Sequence, residues 1–465
     1  MTLYRTFGCR LGAMLEITKK FIQDLQADIH AGKDAEISAK VADLHPADLA
    51  EIFDEVKHDE AVYIYKLLHK DLAADMLVEL EEDVREKLLG SLTSREIAQE
   101  IIDRIDSDDA ADMISELPEE KIEEIISHID DEEQASDLID LLNYEEGTAG
   151  ALMAKELVKV NQNWNVAQCI REMRLQAEDI ENVYTIYVVD DQDTLLGKLS
   201  LKKLLFSSTS TRSLIRDIYN PKELKTVGVE DDADTVVTTM EKYDLAAVPV
   251  VNDANQLLGR ITFDDAMDVL REESDRDYQL ASGISEDVES DDSIWELTRA
   301  RLPWLLIGMA GGISGAYVIG AFDIEKNPGM ALFIPLIAAM GGNVGVQSAA
   351  IVVQGLANKS IKTNEIAKRL GKELGVGVLN GLICAVIILL ASYILNFGLA
   401  LSLTVSIALL AVIIFAALFG TFIPLVLDRY KIDPALATGP FITTANDIIG
   451  LIIYFLVGNI ISGIF

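Results

Sequence analysis

The last third of this chain is almost continuously apolar, and that limits its fold more than anything else in it. Five runs, near 303–322, 331–356, 374–396, 401–427 and 435–463, each hold at least the roughly 20 residues that a membrane crossing needs. Backbone that crosses lipid has to satisfy its own hydrogen bonds, so these runs are read as helices. Charge divides the chain at the same place. Residues 1–298 carry 69 acidic and 29 basic side chains, the remainder 7 and 10. A body this acidic excludes nucleic acid as a partner, because phosphates call for Lys and Arg. Its self-repulsion is the kind that bound cations relieve.

The loops set an orientation. Arg299 and Arg301 precede the first run, Lys359, Lys362, Lys368, Arg369 and Lys372 follow the second, and Arg429 and Lys431 follow the fourth. The loops after the first and third runs hold Lys326 as their one basic residue. Positive charge thus alternates, which places the acidic half in the cytosol and the C-terminus outside a cytoplasmic membrane. Cys9, Cys169 and Cys384 are too scattered for a disulfide framework and fit a reducing compartment. MTLYRTFGCRLGAM lacks the apolar core of a signal peptide. Met14 opens a cleaner amphipathic stretch, so residues 1–13 are read as an extension ahead of it.

The crossings are more than anchors. The first and third are rich in glycine, and the second contains GGNVGVQSAA (341–350), with Asn343 and Gln347 one helical turn apart. Small residues allow close helix approach, and amides in lipid need partners or water. In the last run Thr443, Thr444 and Asn446 lead to Asp447, with no Lys or Arg in the span. Counted from Ala435, Asp447 lies about 18 Å along a helix. An ionisable group at that depth marks a functional site. One carboxylate suits a hydrated Mg²⁺, which keeps most of its water, and carboxylate rings select cations in pores. Asn343, Gln347 and Asn446 are the expected pore lining. Five helices are few to enclose a pore, which favours a homodimer that brings two copies of Asp447 together.

Residues 14–145 repeat short amphipathic stretches with acidic turns: LHPADLAEIFDEV (44–56), KDLAADMLVELEEDV (70–84) and SDDAADMISELPEE (107–120). Their apolar spacing is helical, Pro46 and Pro118 mark helix starts, and no piece is long enough to bury its face alone. A superhelical stack of hairpins is expected. No catalytic constellation or Cys/His metal cluster occurs, and the chain is not read as an enzyme. Beyond residue 146 the pattern becomes strand and helix. IYVVDDQDTLLGKLSLKKLL (186–205) repeats as VPVVNDANQLLGRITFDDAM (248–267), with Val188 matching Val250 and Gly197 matching Gly259. This resembles a tandem pair of cystathionine-β-synthase (CBS) modules, sensors that often bind adenine nucleotides such as ATP. A nucleotide site would rest on Thr262 and Asp265 in the second copy, where the first has Ser200 and Lys203. Farther on, Asp265, Asp268, Glu272, Glu273, Asp275 and Asp277 crowd one helix, and oxygen ligands so dense suit Mg²⁺ or Ca²⁺.

Taken together, DSDDAADMISELPEE (106–120), YEEGTAGALMAKE (144–156), GGNVGVQSA (341–349) and DPALATGPFITTANDIIG (433–450) resemble the MgtE family of magnesium channels and transporters. The resemblance runs nearly end to end. It implies an α-helical superhelical domain (14–145), α/β CBS modules (146–208 and 209–270), a connecting plug helix (271–300) and a five-helix transmembrane domain (301–465). It also implies a homodimer with its pore at the subunit interface and Asp447 as the pore's ion-binding residue. Cytosolic Mg²⁺ would close the gate through Asp108 and Asp112 of the helical domain and Asp244, Asp265 and Asp268 of the second module. Glu273 and Asp277 of the plug helix and Asp433 at the inner end of the last crossing match further ligands. Arg276 departs from the pattern, standing where an acidic residue is expected, and Glu241 adds a carboxylate beside Asp244. The function expected is a Mg²⁺-selective, Mg²⁺-gated uptake channel driven by the membrane potential. The alternatives are a broader divalent transporter passing Co²⁺ or Ni²⁺, and a non-conducting ion or nucleotide sensor.

Overall fold

A computed structural model describes residues 17–462 except 178–179, 181, 207–209, 222–223, 286–287, 289–291, 323–327, 358–359, 362–365 and 438. The extension at 1–13, Cys9 and Met14, and Lys326, Lys359 and Lys362 of the orientation argument, lie outside the described residues. The chain forms two compact units, Met1–Leu270 and Arg271–Phe465.

The first unit opens with short helices: α1 (Lys19–His30), α2 (Asp34–Val41), α3 (Pro46–Glu55), α4 (His58–Tyr65), α5 (Lys70–Val78), α6 (Glu82–Gly90), α7 (Ser94–Glu96), α8 (Ser107–Ser115), α9 (Glu119–Ile126) and α10 (Glu132–Leu141). Their starts follow local chemistry. Pro46 occupies the first turn of α3, and Thr93 and Glu96 form a capping box at α7. Most helices rest on the next but one, α3 on α5, α4 on α6, α7 on α9 and α8 on α10. That pairing is the expected superhelical stack. It sinks Leu49, Ile52, Phe53, Ile64 and Leu77 to near-zero exposure. Each such side chain contributes about 1.5–3 kcal/mol.

The two modules are copies in detail. The first has β1 (Val158–Asn161), α11 (Val166–Gln176), β2 (Ile186–Val189), β3 (Leu195–Leu199) and α12 (Leu201–Phe206). The second has β4 (Val227–Gly228), α13 (Ala233–Tyr243), β5 (Ala247–Val251), β6 (Leu257–Thr262) and α14 (Phe263–Ser282). In each, the first strand runs parallel to the second and the second antiparallel to the third. Val188 faces Gly197 and Val250 faces Gly259, the register that the repeat implies. Both glycines answer a close approach by foreign backbone. A methyl at Gly197 would stand 2.6 Å from the Asn220 carbonyl oxygen, and one at Gly259 2.7 Å from that of Ala154. Residues 149–154 run along the second module through Ala149–Asp231, Gly150–Val229 and Ala154–Arg260 hydrogen bonds, while Asn220 pairs with Lys198 of the first. The modules are interlaced.

One expectation fails. The connecting plug helix expected over 271–300 is not one helix among the described residues. α14 runs from the second module to Ser282 and stops at Gly283, whose φ of +82° is left-handed. A new helix then begins behind the capping box of Ser293 and Glu296. Residues 294–300 therefore belong to the first membrane helix.

In the second unit, α15 (Ile294–Ala321), α16 (Ile334–Ala357), α17 (Ile366–Ile394), α18 (Leu399–Arg429) and α19 (Gly439–Ser462) match the five apolar runs. α18 is central, half of its apolar window buried, and it packs on α16, α17 and α19; α15 leans on α19. The last run is not one helix. Pro434–Ala437 forms a 3-10 turn, and α19 starts at Gly439. Asp447 accordingly lies about 12 Å along its helix rather than about 18 Å.

Candidate functional site

Two places hold expected residues in a built setting, the first with three of them and the second with Asp108. The first lies within the crossings. Gly342, Asn343, Val346 and Gln347 of α16 face Thr443 and Asp447 of α19 across a cavity of about 310 Å³. Gly342 lets the helices close, since a methyl there would stand 3.2 Å from Thr443 Cγ2 and 3.7 Å from Asp447 Oδ1. Asn343 and Gln347, spaced i and i+4, present one polar edge to the cavity and are exposed in the single chain. Asp447 is half-buried and has no hydrogen bond or ion pair among the described residues. Three polar side chains within the crossings, without a protein partner among the described residues, call for water, an ion or a second copy.

Asn446 departs from the expected lining. It is 1% exposed, both its amide atoms lack partners, and it is wedged against Gly345 and away from the cavity. One helical step of about 100° turns it from Asp447's face into the contact with α16. Asp433 is also elsewhere: exposed, ahead of the 3-10 turn, its Oδ1 accepting the Ala435 N–H at 2.7 Å.

The second place is the start of α8. Asp106, Asp108 and Glu156 each bring a carboxylate oxygen within 4.8 Å of the others, and among the described residues they are the one such trio. Opposite oxygens around Mg²⁺ stand about 4.2 Å apart. Neighbouring ones stand only about 3.0 Å apart, so the trio, all hard oxygen donors, suits a Mg²⁺ held partly through its own water. The local fold assembles it. Ser107 donates its N–H and hydroxyl to Glu156 Oε2 at 3.2 and 2.8 Å, tying α8 to the 144–156 segment. Arg260 of β6 donates to the Glu156 carbonyl and, at 3.1 Å, to Asp106. Burial first, then Asp109 and Asp265, pushes the Asp108 carboxyl well above the usual carboxylate range. Burial, then Asp265, Asp106 and Asp112, pushes Asp109 up to about 7. Carboxyls gathered this densely, with Arg260 offsetting only Asp106, are what a divalent cation would hold in the ionised form.

The remaining expected ligands are spread more widely. Asp112 is exposed and stands 3.8 Å from Arg85. Asp265 accepts the N–H and hydroxyl of Thr262 at 2.8 and 2.7 Å, so the pair expected to hold a nucleotide holds itself, as a cap on α14. Asp244 ends α13 with a left-handed φ of +49°, and Glu241 is exposed one turn earlier. Asp268 and Glu273 are exposed and Asp277 half-buried along α14. Sequence reasoning passed over Asp106, Asp109, Glu156 and Arg260. The first three stand inside the motifs quoted above, and Arg260 matches Lys198 at the repeat's offset. A linear motif does not say which of its carboxylates meet.

By architecture this is a multi-pass membrane protein in which an acidic helical domain and a CBS pair precede five apolar helices. Residues 334–457 match the MgtE family, described as a divalent cation transporter. Residues 44–147 match the MgtE intracellular N domain, and 149–209 and 215–272 match the CBS domain. The chain belongs to the MgtE family. It is 30% identical to the magnesium transporter MgtE of Bacillus subtilis over 91% of this chain and 93% of that one. It is likewise 30% identical to MgtE of Thermus thermophilus over 95% and 99%. Among solved structures, the cytosolic domain of the Mg²⁺ channel MgtE in complex with ATP is 30% identical, with a TM-score of 0.48 over 53% of this chain and 99% of that one.

Proposed function

We propose that this protein carries Mg²⁺ into the cytosol through a pore lined by α16 and α19, with Asp447 as the site that binds the ion. The observation that carries this reading is the cavity that Asp447, Asn343 and Gln347 line together within the crossings. Two amides and a carboxylate can hold the water shell that Mg²⁺ gives up reluctantly. No energy source beyond the membrane is needed, since 100 mV supplies about 4.6 kcal/mol to a divalent ion. The positive loops put the acidic unit in the cytosol and the C-terminus outside.

The pore is completed by a second copy. Asn343 and Gln347, exposed in one chain, then face their counterparts across a two-fold axis. Exposed apolar rows on α12 (Leu201, Leu205) and α14 (Phe263, Met267) offer the same pairing to the modules. Regulation is by the transported ion. Mg²⁺ at Asp106, Asp108 and Glu156, beside Asp109, Asp112 and Asp265, favours the closed state, with Glu241, Asp244, Asp268, Glu273 and Asp277 as further carboxylates. Loss of Mg²⁺ restores the repulsion and releases α14. Asp433 adds a carboxylate at the inner end of the pore helix.

Reconstituted in liposomes, Asp447→Ala is expected to abolish Mg²⁺ flux while the protein stays assembled; undiminished flux refutes the pore. The family's description, which speaks of divalent cations in general, favours a second reading in which Co²⁺ and Ni²⁺ also pass. The same assay with those ions decides between them.

A further inference from the structure

Glu373 of α17 is an acidic side chain among the crossings that the pore reading does not use. It lies about 10 Å along its helix, measured from Ile366. It is 7% exposed, and its Oε1 accepts the hydroxyl of Ser348, itself 5% exposed, at 2.7 Å. Helix geometry offered it another partner. Arg369 stands one turn earlier on α17, with its Nε buried and without a hydrogen-bond partner, yet among the described residues the two form no ion pair. The carboxyl is spent on a neighbouring helix instead. Ser348 directly follows Gln347, which lines the Asp447 cavity, and it lies on the buried face of α16 with Gly341, Gly345 and Val352. Gly341 and Gly345 there pack closely against Val412 and Asn446, and the hydrogen bond from Ser348 to Glu373 adds a directional tie that such packing lacks.

We propose that Glu373 is a positioning residue for cation passage. Through Ser348 it fixes the rotation of α16, and with it the direction in which Asn343 and Gln347 present their amides toward Asp447. The inference rests on the pore reading above, so its test uses a readout that does not depend on flux. Gln347→Cys, in a full-length protein with Cys9, Cys169 and Cys384 changed to Ala, reports the orientation of that edge by its rate of reaction with a water-soluble thiol reagent. Removal of the hydrogen bond by Glu373→Ala or Ser348→Ala is expected to slow labelling about tenfold. Glu373→Gln, which still accepts from Ser348, is expected to restore it. Unchanged labelling in the Ala variants overturns the proposal. So does an equal loss in Glu373→Gln, because that would assign the effect to charge. Should Glu373→Ala fail to insert, Ser348→Ala carries the test alone, since it removes a single oxygen. If Asp447→Ala transports Mg²⁺ normally, the pore reading falls while the labelling result still decides whether Glu373 orients α16.

Discussion

Asn446 shows how one helical step changes a residue's work. Asp447 beside it opens on the cavity, while Asn446 is pressed against Gly345 with its amide unpartnered. Such a burial costs about 1–3 kcal/mol and holds only because the surrounding packing is tight. Gly345 is what makes room, since any Cβ there would strike the Asn446 side chain. Gly345→Ala is expected to destabilise the protein by about 1–3 kcal/mol. Adding Asn446→Ala is expected to recover much of that loss, because the two residues share one space. Thermal melting of the single and double variants in detergent measures the coupling, and simple additivity would contradict the contact.

At the scale of elements, the join between α8 and β6 is where charge is balanced. The side chain of Arg260 is 6% exposed and is bonded to Asp106 and to the Glu156 carbonyl. Arg260→Gln is expected to destabilise the chelator-treated protein by about 1–3 kcal/mol. The deficit should shrink as Mg²⁺ is added, because an ion can take over the neutralisation. A deficit indifferent to Mg²⁺ would mean that Arg260 acts by packing alone.

The elements also show what was readable beforehand. The five crossings, the strand register of the modules and the start of α3 at Pro46 follow from apolar length, an internal repeat and proline's missing donor. The break at Gly283 was not foreseen. The acidic run continues across it, and a glycine in such a run looks like any other until its φ is known. The carboxylate trio escaped for a different reason. Asp106 and Glu156 are 50 positions apart, and only the path of residues 149–154 along the second module brings them together. Glu373 escaped because its partner, Ser348, is an ordinary residue in a small-residue stretch.

For the whole molecule, the division of charge sets the response to ions. If the acidic unit binds Mg²⁺ when folded and not when unfolded, Mg²⁺ raises its stability by mass action, about 2.7 kcal/mol at a hundredfold excess over Kd. The melting temperature of the full chain is therefore expected to climb with Mg²⁺. The climb should be reduced in Asp108→Ala, which removes the carboxyl that burial and its acidic neighbours strain most. An equal climb in that variant would place the bound ions elsewhere.

The crossed threading of the modules has its own consequence. Residues 149–154 complete the second module and Asn220 completes the first, so neither copy owns all of its backbone. A cut at the seam between the repeats would leave each half with a vacant groove and a stray ribbon. The two copies thus close on each other like hasp and staple, and Glu156 is pinned directly to Arg260 where they meet.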